Sequence, residues 1–269
     1  MKKLNFIAGL PRSGTTVLAA ILRQNPKFYA NVTSPVLGLV SKNIAAMSQS
    51  SELASFISDN QRVRILRGIF ENYYFGCKQS YIFDTNRWWP GKINLIATLF
   101  PEAKVVALVR DVSKTVNSFE RLFRKNCLQA SAIYGFNPDA NVYGRTEMLL
   151  GPNGVISSAL QCLKEAYYSE HAEKMMIIKY ETLVDKPHDV MGCIYEFIGA
   201  RKFKHHFSGI RLETPEYDLR LGAPGLHKVK PIIIRDESEP LLPPDIVDRC
   251  SRMDFWRQKD MTMVDRKII

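Results

Sequence analysis

Residues 9–16, GLPRSGTT, have almost the spacing of a Walker A phosphate loop, G-x-x-x-x-G-K followed by Ser or Thr. Both glycines and the closing hydroxyl of Thr16 are in place, but Thr15 stands where that motif has its lysine. Arg12 is the only charged side chain in the segment. A glycine loop that leads into a helix presents backbone N–H groups to an anion. The segment therefore predicts a phosphate site built from N–H groups, two threonine hydroxyls and one arginine.

A second arginine, Arg110, follows the apolar run KVVALV at 104–109. In P-loop nucleotide triphosphatases the corresponding strand often ends in an aspartate that holds Mg²⁺. An arginine at this point can instead bind a phosphate through two N–H groups. Ser118 lies eight residues further on, and the alternative for Arg110 is a surface ion pair with Asp111. Together with residues 9–16, Arg110 and Ser118 suit a ligand that carries two separated phosphates.

The elements that must position these residues alternate between strand and helix. Strands are predicted for LNFIAGL up to Gly9, and for 80–85, 104–109 and 175–180. Helices are predicted over 15–25, in two or three pieces over 36–76, and over 93–100, 112–125, 155–171 and 188–199, with Gly199 as the last C-cap. Residues 126–154 are predicted to be irregular. The alternation predicts an α/β, P-loop-like three-layer fold with a central parallel sheet, in which ligands bind beyond the carboxyl ends of the strands.

The composition is that of an ordinary globular protein, with 46% hydrophobic residues among 269. The net charge of +10 suits an anionic ligand, and without a block of about five like charges we expect no nucleic-acid surface. The five cysteines form no C-x-x-C pair and the histidines show no ligand spacing, so we expect free thiols, a cytoplasmic location and no metal site. No apolar stretch approaches about 18 residues, so we expect no membrane span.

The chain shows no internal repeat and no clear linker, which predicts one domain over 1–269. The stretch 209–269 is rich in proline and is expected to wrap this domain as a tail. It contains LGAPGLHKVKP at 221–231, a basic loop with few apolar side chains to anchor it. The oligomeric state is not predicted.

Three segments, in this order, resemble those of sulfotransferases that use 3′-phosphoadenosine-5′-phosphosulfate (PAPS). FIAGLPRSGTTVLAAILRQNP resembles their 5′-phosphosulfate loop, and VVALVRDVSKTVNSFERL resembles their 3′-phosphate element. IIKYETLVDKP resembles their strand-Tyr-Glu-x-Leu segment. The motifs are closest to those of tyrosylprotein sulfotransferases and their bacterial relatives, and the resemblance covers roughly residues 4–260.

The resemblance implies that PAPS is the donor and adenosine 3′,5′-bisphosphate the product, bound without a metal. It implies binding roles for Arg12, Ser13, Gly14, Thr15 and Thr16 at the 5′-phosphosulfate, Arg110 and Ser118 at the 3′-phosphate, Tyr180 at the adenine, and Lys228 in a loop that closes over the nucleotide. Arg12 is also expected to be catalytic, because it can stabilise the charge that develops on the 5′-phosphate. In the alternatives, Tyr180 is a core residue and Lys228 belongs to an exposed basic loop.

The chain departs from the resemblance at the general base. Cytosolic members have a histidine about where Asn86 lies, and tyrosylprotein members have a glutamate in the segment that here reads KFYANVTSPV, which has no carboxylate. Asp84 is the acid nearest to both places and is predicted as the catalytic base. Alternatively, Asp84 caps the next turn or pairs with Arg87, and the base is another group such as His227.

The sequence therefore predicts an enzyme that moves a sulfuryl group from PAPS to a hydroxyl or amine of a small-molecule, carbohydrate, lipid or peptide acceptor. Arg87, Trp88 and Trp89 are expected beside the acceptor, with core packing as the alternative for the two tryptophans. Two other functions stay open. A metal-dependent P-loop kinase is disfavoured by Thr15 and Arg110. A nucleotide- or RNA-binding protein without catalysis is compatible with the absence of both familiar bases.

Overall fold

Six parallel strands form one sheet in a computed structural model that describes residues 2–48, 52–137, 140–235, 239–257 and 267–269. The strands are β1 (Lys3–Gly9), β2 (Phe28–Ala30), β3 (Tyr81–Thr85), β4 (Val105–Val109), β5 (Met175–Lys179) and β6 (Lys267–Ile268). Their order across the sheet is β2-β3-β1-β4-β5-β6, and all neighbouring pairs are parallel. The chain runs from β1 to β2 and β3 on one side and from β4 to β5 and β6 on the other, so the switch point where such sheets bind ligands lies between β1 and β4.

Helices connect the strands and cover the sheet. They are α1 (Thr15–Leu22), α2 (Val36–Ala46), α3 (Asp59–Tyr73), α4 (Ile93–Leu99), α5 (Val112–Lys125), α6 (Val142–Leu150), α7 (Val155–Tyr167), α8 (Tyr180–Asp185), α9 (Pro187–Phe197), α10 (Pro215–Arg220) and α11 (Pro244–Ser251). The helix predicted over 112–125 has these bounds in the structure, and Gly199, just after α9, has a φ of 61° as expected of a C-cap glycine.

The core lies on both faces of the sheet, and β4 shows this most clearly. Val105, Ala107 and Val109 pack with helices α2 to α7 and α11 on one face. Val106 and Leu108 pack with α1, α8 and α9 on the other. All five side chains are fully buried, which explains the uninterrupted apolar run of this strand. The predicted three-layer α/β fold with a central parallel sheet is confirmed.

The structure contains two elements, β2 and α6, that the sequence did not predict. β2 is only three residues long and pairs with β3 through Phe28 and Tyr81. The stretch 126–154, predicted to be irregular, contains α6, so that prediction is wrong. Asn141 caps this helix by accepting from the backbone N–H of Gly144 at 2.9 Å, and Arg145 forms a 2.7 Å ion pair with Glu120 of α5. These contacts stabilise a helix whose own sequence has no clear apolar periodicity.

The tail from 209 contributes to the core and to the sheet. Ile246, Phe255 and Trp256 are buried in the same cluster as α5, and β6 pairs with β5 at the edge of the sheet. Such contacts are what a wrapping tail requires. The prediction of one domain over 1–269 stays a prediction, and residues 236–238 and 258–266 lie outside the described part of the tail.

Gly9 brings the end of β1 against β4. Its φ is 136°, and a Cβ built on it would lie 2.1 Å from the carbonyl oxygen of Leu108. No side chain fits there without displacing the backbone of β4. This close approach places the loop that follows β1 next to the carboxyl end of β4, where Arg110 follows.

Candidate active site

A cavity of about 720 Å³ opens at the carboxyl edge of the sheet. Its walls come from the loop after β1, the start of α1, the segment between β2 and α2, the segments after β3, β4 and β5, and parts of α5, α7, α8 and the tail. Residues that line it include Arg12, Thr15, Thr16, Asn86, Arg87, Trp88, Arg110, Ser118, Tyr180, Tyr217, His227, Lys228 and Lys230. The four strand ends that the sequence singled out therefore meet at one cavity.

The charges on the cavity wall all have one sign. Five cationic side chains line it, namely those of Arg12, Arg87, Arg110, Lys228 and Lys230. No aspartate or glutamate of the described residues does so. A concave surface with this charge distribution concentrates anions, and its low-dielectric walls strengthen the effect.

The loop after β1 adds backbone donors to this positive field. Gly14 is the N-cap of α1, with a φ of 93° and no side chain capping the helix. The first hydrogen bond of the helix runs from the N–H of Leu18 to the carbonyl of Gly14, so the N–H groups of Thr15 and Thr16 have no acceptor within the helix. Both residues line the cavity, where these N–H groups can bind an anion.

Ser13 supports the loop from behind. Its hydroxyl lies within hydrogen-bond distance of the carbonyl oxygens of Leu10 at 2.6 Å and Leu108 at 3.0 Å, which share its one proton, and its backbone N–H donates to the carbonyl of Leu10 at 3.3 Å. The residue is fully buried and is not among those that line the cavity. Its placement favours a structural role over the nucleotide contact predicted from the sequence.

Arg12 joins three parts of the site. Its φ of 63° is uncommon for a residue with a side chain, which is typical of strained positions at functional sites. Its Nε donates to the hydroxyl of Ser118 at 3.0 Å, and its Nη1 donates to the carbonyl oxygen of Leu226 in the tail. Nη1 of Arg110 approaches the carbonyl oxygen of Arg12 at 3.4 Å. The predicted 5′ and 3′ anion sites are therefore in direct contact.

Tyr180 begins α8 directly after β5 and lies beside Arg110. The Arg110 guanidinium lies 4.6 Å from the centre of the Tyr180 ring, a cation–π distance. The same ring leaves so little room over the loop that a Cβ on Gly14 would come within 3.0 Å of it. Asp111 bonds instead to Arg257 and, at 3.6 Å, to Lys114, so its carboxylate is directed to other cations than Arg110.

The loop 221–231 is anchored more firmly than its sequence suggested. Ala223, Leu226 and Val229 are buried, and the carbonyl oxygen of Pro224 accepts from Asn126 at 3.3 Å. Lys228 is exposed and lines the cavity. The expectation of few apolar anchors is wrong, because every third residue from 223 to 229 is an apolar side chain that is buried.

Asp84 is enclosed at the end of β3 and does not line the cavity. Its carboxylate is 0% exposed and accepts from the hydroxyls of Ser34 at 2.7 Å and Tyr74 at 2.6 Å and from the indole N–H of Trp89 at 2.6 Å. Burial raises the pKa of this carboxyl, and the three hydrogen bonds oppose that shift. These contacts favour a structural role over that of the predicted base.

The segment after Asp84 divides between core and cavity. Trp89 is fully buried, whereas Trp88 is 45% exposed and lines the cavity. Arg87 also lines the cavity, and burial lowers the pKa of its guanidinium. Among the described residues no carboxylate oxygen lies within 4.0 Å of Arg87, so the predicted alternative of a pair with Asp84 is not formed.

The residue that sequence reasoning missed is Asp218, on α10. Its Oδ1 lies 2.5 Å from Nδ1 of His227, and its Oδ2 accepts the backbone N–H of His227 at 2.9 Å. Burial lowers the pKa of the His227 imidazole, while the Asp218 carboxylate opposes that shift. No local motif in the sequence marks this pair, because the two residues lie nine positions apart and meet only when the tail folds. The helix α10 that carries Asp218 was not predicted either.

Within the part of the chain that the structure describes, no cluster of three or more histidine, cysteine or acidic residues is placed to hold a metal ion. Over the same residues, every helix is too short or too polar to cross a bilayer. The cytoplasmic location expected from the cysteines is not tested by either observation.

Comparison with known proteins identifies the family. The model of the sulfotransferase family matches residues 6–204. The nodulation protein NoeE of Sinorhizobium fredii (strain NBRC 101917 / NGR234) is 24% identical over 242 residues, 82% of this chain and 55% of that protein. Protein-tyrosine sulfotransferase 1 of Danio rerio is 23% identical over 204 residues, 72% of this chain and 52% of that protein. The chain thus spans about half the length of the curated relatives it matches.

Among solved structures, the sulfotransferase domain from the Synechococcus PCC 7002 olefin synthase aligns with a TM-score of 0.54. The alignment covers 97% of this chain and 98% of that one at 18% identity, so it reports on the fold only. The family match confirms the resemblance to sulfotransferases inferred from the three motifs. This chain belongs to the sulfotransferase family.

Proposed function

We propose that this protein transfers a sulfuryl group from PAPS to a hydroxyl or amine of an acceptor and releases adenosine 3′,5′-bisphosphate. The observation that carries the proposal is the cavity at the carboxyl edge of the sheet. It combines the uncapped N-terminus of α1 with five cationic side chains and, among the described residues, no carboxylate. A donor with a phosphosulfate at one end and a phosphate at the other matches this charge distribution.

The residues on the cavity wall fit the two ends of such a donor. Thr15 and Thr16 would bind the 5′-phosphosulfate, and Arg110 and Ser118 the 3′-phosphate. Tyr180 would contact the adenine, and Lys228 would contact a phosphate. The 3.0 Å bond between Arg12 and Ser118 brings these two groups of residues into contact. PAPS supplies a sulfuryl group attached to a good leaving group, a phosphate.

Arg12 is the residue best placed to assist the transfer electrostatically. Charge develops on the 5′-phosphate oxygen as the sulfuryl group departs, and a fixed guanidinium beside it lowers the free energy of that state. The backbone conformation of Arg12 and its bond to Ser118 hold the group in place before the reaction. Preorganised charges of this kind need no rearrangement at the moment of reaction.

The acceptor would enter along the wall that carries Trp88 and Arg87. Val32, Ile133 and Val155 also line the cavity and give part of it an apolar surface. This mixture suits a small-molecule, carbohydrate, lipid or peptide acceptor. We further propose a single domain over 1–269 and a cytoplasmic location, the latter from the free cysteines.

Ligand-induced stabilisation tests the donor assignment. At roughly 100 times its Kd, adenosine 3′,5′-bisphosphate should stabilise the folded state by about 2.7 kcal/mol. For a chain of this size that corresponds to a rise in Tm of roughly 5–10 °C. We expect this rise without added Mg²⁺, and a much smaller one with ADP, which lacks the 3′-phosphate. If ATP with Mg²⁺ stabilises most and the bisphosphate has no effect, the proposal is wrong.

A further inference from the structure

His227 lies on the cavity wall, and its imidazole is held from behind by a buried carboxylate. Asp218 is 2% exposed and uses both carboxylate oxygens on His227, one on the ring and one on the backbone N–H. The ring of Tyr217 lies 5.5 Å from the imidazole, with 30° between the two planes. A histidine fixed on its ring nitrogen, its main chain and one face has little freedom to turn.

The contact with Asp218 determines which ring nitrogen is available. An ionised carboxylate can only accept a hydrogen bond, so Nδ1 of His227 carries the proton. In the neutral ring Nε2 is then left with a lone pair. Within the described residues, no side chain or backbone group hydrogen-bonds to Nε2.

The groups that face His227 favour its neutral form. Burial lowers the pKa of the imidazole, and the positive charges of Arg12 and Arg87 lower it further. The Asp218 carboxylate acts in the opposite direction. Arg12, in the loop after β1, and Arg87, in the segment after β3, line the same cavity as His227.

We propose that His227 is the general base of the transfer and that Asp218 is its positioning residue. This inference rests on the proposed function. Among the described residues that line the cavity, none is an aspartate or glutamate, and Asp84 is enclosed behind Ser34, Tyr74 and Trp89. His227 is the titratable group on this wall whose ordinary pKa lies nearest neutrality.

The transfer forms one bond to sulfur, breaks another and moves one proton. Nε2 of His227 takes the proton of the acceptor hydroxyl while the acceptor oxygen forms a bond to sulfur. The bond from sulfur to the bridging 5′-phosphate oxygen breaks, and its electron pair stays on that oxygen beside Arg12. The resulting imidazolium is stabilised by Asp218 and later releases its proton to water.

The first test uses acceptors that differ in their need for a base. The variant His227→Asn is compared with His206→Asn, a matched control at an exposed histidine outside the cavity wall. With an unactivated phenol, whose pKa is near that of tyrosine (about 10), we expect His227→Asn to lose roughly 10²–10⁴-fold in kcat. With 4-nitrophenol at a pH where it is already ionised, the loss should be no more than a few-fold. Equal losses with both phenols would overturn the proposal.

The second test separates positioning from structure. In Asp218→Asn the amide oxygen can still accept a hydrogen bond, but the charge that raises the His227 pKa is gone. The acid limb of the kcat profile should therefore move to lower pH. NMR titration of the His227 imidazole, without any donor present, should show the same downward shift. An unchanged profile together with an unchanged imidazole titration would refute the role of Asp218.

Measurements of nucleotide binding and of phenol sulfation distinguish a wrong base from a wrong function. Binding of adenosine 3′,5′-bisphosphate by calorimetry should be nearly equal in the parent and His227→Asn, which also shows that the variant is folded. Tight binding with undiminished phenol sulfation in the variant refutes the base and leaves the function intact. A parent protein that neither binds the bisphosphate nor sulfates any phenol refutes both.

Discussion

Arg110 lies where the two predicted anion sites meet. It is 5% exposed, its guanidinium packs on the Tyr180 ring at 4.6 Å, and its Nη1 approaches the backbone of Arg12. These contacts fix a guanidinium at the wall of the cavity. A charge held in this way can distinguish ligands that differ by one phosphate.

Replacing Arg110 with alanine should therefore weaken adenosine 3′,5′-bisphosphate binding by roughly 2–3 kcal/mol, the scale of a charge-assisted hydrogen bond. Adenosine 5′-phosphosulfate, which lacks the 3′-phosphate, should bind almost as before. Lys114→Ala, at a half-exposed cation of α5 that pairs with Asp111 and Glu181, is the control. Isothermal calorimetry measures both ligands, and equal losses for the two would contradict the 3′-phosphate assignment.

Asp84 illustrates how an acid at a strand end can be structural. Three donors converge on its carboxylate. In Asp84→Ala all three donors lose their acceptor, and the two from Tyr74 and Trp89 lose it inside the core at about 1–3 kcal/mol each, so the free energy of unfolding should fall by at least about 2 kcal/mol. Asp84→Asn keeps one acceptor oxygen and should lose less.

Urea denaturation measures these losses, and turnover of Asp84→Asn provides the decisive comparison. We expect it to stay within a few-fold of the parent. A fall of roughly 10²–10⁴-fold, with nucleotide affinity unchanged, would restore Asp84 as the base.

At the scale of elements, α5 depends on the tail for its N-terminal cap. Asp111 is the N-cap residue but makes no side-chain cap bond. Asp254, which follows α11, accepts the N–H of Val112 at 3.0 Å instead. The helix that carries Ser118 is thus secured by a residue more than a hundred positions away.

Burial raises the pKa of Asp254 from its ordinary value of 3.8 to about 6. Its stabilising contribution is therefore fully present below pH about 4 and is lost as the pH rises through about 6, since the folded state holds the proton more tightly than the unfolded state. The loss should amount to roughly 1–3 kcal/mol. Asp254→Asn should remove this part of the pH dependence, measured by urea denaturation between pH 4 and pH 8 (roughly two units to either side of the midpoint). Parallel stability curves for parent and variant would contradict it.

For the whole molecule, the net charge of +10 and the cationic cavity act together on a charged ligand. The association rate of adenosine 3′,5′-bisphosphate should fall steeply between low and physiological salt, where the Debye length shortens to about 8 Å. Adenosine, which carries no charge, should show little salt dependence in the same stopped-flow measurement. A bisphosphate rate that is independent of salt would show that the positive field does not guide the ligand.

Local patterns in the sequence are sufficient to predict the strands and the helix α5 that position the cavity. The strands β1, β3 and β5 are largely apolar runs that end in a polar or glycine residue, β4 is an apolar run followed by Arg110, and α5 has a strong helical periodicity. Such elements can be predicted because burial on both faces of a sheet, or on one face of a helix, leaves a short-range signature. The loop 9–16 could be interpreted because its glycines, Arg12 and the two threonines form one contiguous motif.

Contacts between segments far apart in the chain account for the elements that the sequence did not predict. β2 is a strand because it pairs with β3, and α6 is held in place by the ion pair between Arg145 and Glu120. Neither contact leaves a periodic signal in the chain.

The same distinction holds within the active site. Contiguous motifs were sufficient to recognise the family and to predict anion-binding roles for the loop 9–16 and for Arg110. The enclosure of Asp84 by three donors and the contact of Asp218 with His227 at the cavity wall arise only when distant segments fold together. The physical reason is that the environment of a titratable group depends on burial and on partners from distant segments, which no short stretch of sequence encodes.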